Sequence, residues 1–311
     1  MTPKNPAKSA IRIGTRGSAL AKWQAEWVSA RLQELGAAVE LVFIKTGGDG
    51  TTTPIAASGE QGLFTKEIQR ALLDRRVDLA VHSLKDLPTD VVDGLTLAAV
   101  PTRETTQDAF VSNKYSKLDE LPQRARVGTG SRRRQSQLLY ARPDLEVRDI
   151  RGNVDTRLKK LDDGEYDAII LATAGLKRLG LADRIKQQLP VNVMLPAIGQ
   201  GALGLETRSD DEATIRIVAQ LDDIDSHCGV LAERTMLSTL RGGCLAPVGA
   251  HSRIDSGSLW LDGVVLSPDG KQRIIASRNA TPADAASLGT AVANDLLEQG
   301  ARDLIEQARS R

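Results

Sequence analysis

Arg126-Val127-Gly128-Thr129-Gly130-Ser131-Arg132-Arg133-Arg134-Gln135 reads as a strand, a polar turn and the opening of a helix. The strand is Arg126–Thr129 and the helix Arg132–Ala141. Unpaired backbone N–H groups and the helix dipole already favour an anion at such a start. Three arginines add planar forks suited to carboxylates or phosphates. Because the dipole disfavours cations at this end, the cluster costs stability unless an anion arrives. A second turn, Arg151-Gly152-Asn153-Val154-Asp155-Thr156-Arg157, has the same strand-to-helix setting. Parallel neighbouring strands would bring both turns to the carboxyl edge of one sheet, where ligands of α/β proteins bind.

Outward from this stretch the β/α rhythm continues in both directions. Upstream, Ile11–Thr15 is a strand, Ser18 opens a helix through about Leu35, and Val39–Lys45 is a second strand. A helix from about Phe64 to Arg75 precedes strands Val77–His82 and Leu95–Val100. Thr46–Gly62, rich in Gly, Thr and Ser with no apolar period, reads as a mobile lid or binding loop. Downstream, Asp108–Ser112, Leu145–Ile150 and Asp167–Leu171 are strands and Val154–Leu161 a helix. Repetition on either side of residues 101–107 predicts an α/β protein with two doubly wound, mostly parallel sheets covered on both faces. Ala202–Thr207 is a strand able to cross back into the first sheet. The last ninety residues differ. A helix from about Ala213, broken near Asp222–Ser226, resumes to Leu240, and strands Val248–Ile254, Ser258–Leu266 and Arg273–Asn279 follow. Thr281-Pro282-Ala283-Asp284 then caps a helix covering much of the remainder. The expected domains are 1–102 with 198–220, then 103–197, and a small α+β domain 221–311.

The 311 residues carry a net charge of +1, so strong anion attraction must come from local clustering. Nine aromatic residues and a near-neutral chain offer neither the basic face nor the stacking platform of a nucleic-acid binder. Two cysteines, Cys228 and Cys244, make no disulfide framework and fit a reducing compartment. The polar N-terminus lacks the apolar core of a secretory signal, and no apolar run approaches a membrane span. A cytoplasmic protein is expected. The one metal-like set, His227-Cys228 with Cys244 and His251, lacks zinc spacing, and no metal is expected.

Two further places carry chemistry, and a third motif does not. Cys244 follows two glycines and precedes Pro247 in Leu240-Arg241-Gly242-Gly243-Cys244-Leu245-Ala246-Pro247, a stiff loop that presents a thiol; a buried structural cysteine is the competing reading. Asp86, in the turn Leu84-Lys85-Asp86-Leu87-Pro88, is either a structural partner for an arginine or a catalytic group placed where cationic charge develops. In an extended chain Lys85 would point away from it. Gly199-Gln200-Gly201-Ala202-Leu203-Gly204 matches G-x-G-x-x-G, but a strand follows it where a dinucleotide site needs a helix, so nucleotide binding is rejected.

These residues resemble the porphobilinogen deaminase (hydroxymethylbilane synthase) family over nearly the whole chain. The matching segments are Ile13–Ser18, Gly62–Glu67, Asp78–Pro88, Asp108–Phe110, Val127–Thr129, Arg133–Gln135, Arg151–Val154, Leu195–Ala202 and Leu240–Gly249. The resemblance implies two hinged α/β domains similar to type II periplasmic binding proteins and a third domain carrying the cysteine. It implies a monomeric transferase of tetrapyrrole (haem-type) biosynthesis that joins four porphobilinogen units head to tail, with loss of ammonia, into hydroxymethylbilane. The chain grows on a dipyrromethane cofactor held by a thioether, here to Cys244. Each pyrrole brings an acetate and a propionate. The resemblance assigns the cofactor to Arg16, Ser18, Ser83, Lys85, Thr129, Ser131, Arg133, Arg134, Arg151, Arg157, Gly199 and Gln200. It assigns the substrate to Arg16, Ser18, Phe64, Arg151, Arg157 and Arg178. The resemblance also implies that Asp86 is the catalytic group, following the positive charge that develops on deamination.

The chain departs from the family at three positions. Gln61 stands where many members have lysine, Arg132 where an apolar residue is usual, and Arg241 where an acidic one is common. Arg132 is then expected to supply the missing charge from the opposite lobe. The alternative reading is a non-catalytic cytoplasmic binding module for polycarboxylate anions, which would need neither a covalent group on Cys244 nor a role for Asp86.

Overall fold

The computed structural model describes residues 10–44, 63–241 and 246–309. The expected lid Thr46–Gly62, with Gln61 and Cys244, lies outside these residues. The chain forms two compact units, Met1–Pro101 with Leu203–Asp223, and Thr102–Ala202 with Ile224–Arg311.

The first unit is built on five strands, β1 (Ile11–Thr15), β2 (Val39–Phe43), β3 (Leu79–Ser83), β4 (Leu95–Ala99) and β10 (Leu203–Arg208), in the order β2-β1-β3-β10-β4. Helix α1 (Ala19–Glu34) starts where the Ser18 hydroxyl accepts from the Ala21 N–H. It lays Ala25, Val28 and Leu32, one face at helical spacing, on Ile11, Ile13, Leu79, Val81, Leu203 and Leu205. Helix α2 (Leu63–Leu73) covers the opposite face with Ile68, Ala71 and Leu72 against Val77, Ala80 and Leu95. Burial of each such aliphatic side chain stabilises by about 1.5–3 kcal/mol. Leu32→Ala would cost more, about 2–5 kcal/mol, through the cavity it leaves.

The second unit contains β5 (Asp108–Val111), β6 (Arg126–Gly128), β7 (Glu146–Arg148), β8 (Ala168–Ala172) and β9 (Gln187–Gln188), in the order β7-β6-β8-β5-β9. Helices α3 (Arg132–Ala141), α4 (Val154–Asp162) and α5 (Thr173–Arg178) accompany it. One apolar cluster is built around Phe110, Val127, Leu138 and Ile170, and a second around Val111, Leu158, Ile169 and Leu176. The same unit includes an antiparallel sheet of β11 (Val248–Asp255), β12 (Ser258–Leu266) and β13 (Arg273–Ala280). Helices α7 (Ile224–Leu240), α8 (Ala285–Glu298) and α9 (Ala301–Arg309) pack with this sheet; the short α6 (Glu212–Val218) belongs to the first unit. Glu233 of α7 is fully buried. It receives Arg103 bidentately at 2.8 and 3.0 Å, the Ser252 hydroxyl at 2.7 Å and the Gly199 N–H at 2.8 Å. Gly201 has φ +87°, and a Cβ there would lie 2.3 Å from the Glu104 carbonyl oxygen, so only glycine fits this crossing.

The α/β architecture and the separate α+β C-terminal portion agree with expectation, and each five-stranded sheet is mostly parallel, with four strands running one way and one reversed. In the first, β10 runs antiparallel to both β3 and β4. In the second, β5 runs antiparallel to both β8 and β9. Each chain crossover therefore delivers a reversed strand to a parallel core. The segment after β3 is also not extended: Leu84–Asp86 closes a 3-10 turn with Leu87 N–H on the Leu84 carbonyl. The final helix breaks at Gly300 (φ +96°) into α8 and α9.

Candidate active site

The carboxyl ends of the neighbouring parallel strands β1 and β3 lie at one edge of the first sheet. β1 delivers half-buried Arg16 and the capping residue Ser18. β3 ends at Ser83, whose hydroxyl accepts from Gln24 Nε2 at 2.8 Å. Leu84 is buried and roots the 3-10 turn, leaving Lys85 half-buried and Asp86 exposed. No side chain among the described residues hydrogen-bonds the Asp86 carboxylate. Gln24, buried in α1, was not singled out by sequence; an interior glutamine carries no local sign that it orders a distant serine.

At the corresponding edge of the second sheet, Thr129 and Ser131 turn the chain into α3. Ser131 N–H donates to Thr129 Oγ1 at 3.2 Å, and the Ser131 hydroxyl caps the Arg134 N–H. Arg133 and Arg134 are buried and converge on Asp108, the first residue of β5. Arg133 Nη1 reaches one carboxylate oxygen at 2.7 Å, and Arg134 Nε and Nη2 reach the other at 3.0 and 2.7 Å. Arg133 also donates to the Leu195 carbonyl and Arg134 to that of Ile170. Burial alone would raise the Asp108 pKa; the charges and hydrogen bonds of the two arginines outweigh it and hold the carboxyl well below the usual range. Burial lowers the Arg133 pKa, against the attraction of Asp108. Part of the anion demanded by this arginine cluster is thus internal. Sequence reading missed the role of Asp108 because its partners lie 25 and 26 positions away.

Gln200, also buried, donates to Asp108 at 2.9 Å and to the Thr106 carbonyl at 2.6 Å. Gly199 is held on Glu233 and reads as part of the crossover. Around Asp108 some polar atoms remain unanswered among the described residues: Arg133 Nε and Gln200 Oε1 are buried without a hydrogen-bond partner. Arg151 is exposed and pairs with Asp149 at 2.7 Å, Arg157 donates to the Gly152 carbonyl at 2.8 Å, and Arg178 to that of Gly201 at 2.7 Å.

Arg132 has a partner of its own. Its guanidinium donates to the Ala308 carbonyl in the last turn of α9, within the same unit. A helix C-terminus offers unpaired carbonyls and the negative end of the dipole, which a cation satisfies. The expected compensation for Gln61 falls outside the described residues. Phe64 lies in the first turn of α2, and the expected contact of its side chain falls outside the described residues. Among the described residues no group of His, Cys, Asp and Glu is arranged to hold a metal ion.

Each of the two α/β sheets carries arginine and hydroxyl side chains on turns at one edge, a class of setting in which anions bind. Family models sharpen that class. Residues 11–216 match the porphobilinogen deaminase dipyromethane cofactor binding domain, and residues 228–298 the porphobilinogen deaminase C-terminal domain. The chain belongs to the porphobilinogen deaminase family. It is a transferase that polymerises porphobilinogen into hydroxymethylbilane in tetrapyrrole biosynthesis, with dipyrromethane as cofactor. Similar solved structures include a putative methionine-binding lipoprotein of Bacillus subtilis, at 15% identity and TM-score 0.44, covering 69% of this chain and 90% of that one. The methionine-binding protein MetQ matches at 16% identity and TM-score 0.46, over 68% and 89%. Likenesses at this level add nothing to the family membership.

Proposed function

We propose that Asp86 is the catalytic group of this transferase and that Cys244 holds the dipyrromethane. The observation that carries the first assignment is the exposed Asp86 carboxylate, without a side-chain partner among the described residues, on the edge that also presents Arg16, Ser18, Ser83 and Lys85. As the aminomethyl C–N bond of porphobilinogen breaks and ammonia leaves, positive charge develops on the pyrrole. A carboxylate fixed near it stabilises that charge. Cys244 is favoured over Cys228 because Cys228 lies within α7 while Cys244 follows Gly242-Gly243.

The residues present fit a dipyrromethane. Its acetate and propionate groups ask for guanidinium, ammonium and hydroxyl donors, and Arg133 Nε and Gln200 Oε1 are a buried donor and acceptor still to be answered. When bound, the group supplies the primer to which pyrrole units are added. Arg16, Ser18, Ser83 and Lys85 would hold carboxylates at the first edge. Thr129, Ser131, Arg151, Arg157 and Arg178 would do so at the second, with Gly199 and Gln200 beside them. Arg133 and Arg134, already bound to Asp108, would act chiefly by shaping that edge and through the Arg133 Nε–H. We further infer that the second unit comprises two domains, one at 103–197 and one that begins at Ile224 and not at the expected 221, since each sheet has its own apolar core. A cytoplasmic monomer is the accompanying proposal; no helix among the described residues is long and apolar enough to cross a membrane.

Intact mass tests the attachment. The parent protein should exceed its sequence mass by a dipyrromethane, and Cys244→Ser should be folded, unmodified and inactive. If Cys244→Ser still gains the mass, the attachment lies elsewhere. Asp86→Asn should keep the adduct but lose on the order of a hundredfold or more in turnover; turnover within a few-fold of the parent would sink the catalytic role.

A further inference from the structure

The turn that carries Asp86 is seated on β10. Gly204 lies opposite His82 in the β3–β10 pairing, and a Cβ on it would come within 2.6 Å of Leu84 Cδ1 and 3.1 Å of Leu97 Cδ1. The bare backbone of β10 is thus the floor under Leu84, the buried root of the turn. Two residues on, Glu206 lies on the same face, since side chains alternate along a strand. Its buried carboxylate meets His82 Nε2 at 3.0 Å through one oxygen and accepts Gln69 Nε2 at 3.0 Å through the other. One carboxylate therefore ties together β10, α2 and the last fully buried residue of β3 before Ser83-Leu84-Lys85-Asp86.

Burying an acid in this way is costly unless both oxygens are answered, whereas an apolar residue would pack two strands and a helix without that demand. What the polar knot adds is directional constraint, since its hydrogen bonds weaken steeply with angle while apolar packing does not. Asp86 has no side-chain tether of its own among the described residues, so the end of β3 sets its position. We propose that Glu206 is a positioning residue for Asp86, acting through His82 and seconded by Gly204 beneath Leu84; this rests on the role given to Asp86 above.

The test is a double-mutant cycle. Glu206→Gln puts an NH2 group where one accepting oxygen stood, at almost unchanged volume. Gly204→Ala disturbs the floor by another route, pressing a methyl against the mobile end of Leu84, and φ there is not positive. Displacement of a reacting group by about 1 Å can cost up to about a hundredfold in rate. Each substitution should lower kcat by about ten- to a hundredfold while KM stays within about twofold. In an Asp86→Asn background the same substitutions should change kcat by less than about twofold, because the group they position is gone. Hydrogen exchange of a peptide spanning Ser83–Leu87 should rise in both variants in either background, an outcome independent of activity. Equal losses with and without Asp86, or unaltered exchange at Ser83–Leu87, overturn the proposal. If Glu206→Gln does not fold, Gly204→Ala decides it. If Asp86→Asn alone retains parent-like turnover, the catalytic reading of Asp86 falls, and the exchange measurement still shows whether Glu206 holds the turn.

Discussion

Asp108 shows how a buried charge is made tolerable and why its removal is costly. Its carboxylate takes hydrogen bonds from Arg133, Arg134 and Gln200 in the interior of the second unit. Deleting one partner of such a buried set strands the others, at a cost of about 3–5 kcal/mol. Asp108→Asn should therefore lower the denaturant midpoint by the equivalent of that amount; a midpoint equal to the parent's would mean that the two guanidiniums find other partners. The pH dependence has a defined sign. The folded-state pKa of Asp108 lies below its unfolded value, so its contribution is fully present above the unfolded pKa of about 3.9 and is lost as pH falls through the folded pKa. The variant and the parent should then converge in stability only in strong acid. Little of this was legible in the sequence. The three arginines were evident as a cluster at a helix start, but nothing local distinguishes arginines waiting for a ligand from arginines that already face a carboxylate 25 residues upstream. Asp86 was better marked, because a turn directly after an apolar strand exposes whatever polar group it carries.

Among elements, the helices and strands with strong local signals stand where the sequence placed them. α3 begins at Arg132 behind its Ser131 cap, as the Thr129-Gly130-Ser131 turn implies. The C-terminal strands β11 to β13 match their alternating patterns almost to the residue. Strand direction does not follow from pattern, since buried parallel and antiparallel strands share the same apolar runs, and the reversal of β5 and β10 carries no local mark. Arg132 has a partner that local pattern does not reveal. Its partner is a carbonyl at the far end of the chain, and a carbonyl has no identity in sequence. Removing the cation from the end of α9 should forfeit about 0.3–2 kcal/mol of local stability. Arg132→Leu is accordingly expected to speed hydrogen exchange across Ala301–Arg309 and to leave KM for porphobilinogen unchanged at every salt concentration. A salt-dependent rise in KM would return Arg132 to carboxylate recognition.

For the molecule as a whole, the position of β10 fixes an order of assembly. Among the described residues β4 has no neighbour in its sheet other than β10, and β3 has β10 on one side. A ribosome therefore finishes β4 at Ala99 but cannot supply its partner until Leu203 has been made. At roughly 5–20 residues per second this is a wait of about 5–20 s, with two strand edges open. The second five-stranded sheet suffers no such delay, being complete once Gln188 emerges. The usual N-terminal-first order of folding is thereby inverted: the later-encoded sheet closes first, and the earlier one is sealed only when the chain returns to it. Nascent chains arrested with residue 200 outside the exit tunnel should show protease-resistant peptides from 108–188 and rapid cleavage within 63–101, while chains arrested beyond Asp223 should protect both. Early protection of 63–101 would mean that β3 and β4 find an interim partner. Until β10 arrives, the strand that leads into the Asp86 turn keeps one edge open to chaperones or to another nascent copy, so slower translation through residues 100–203 is expected to lower the yield of this enzyme.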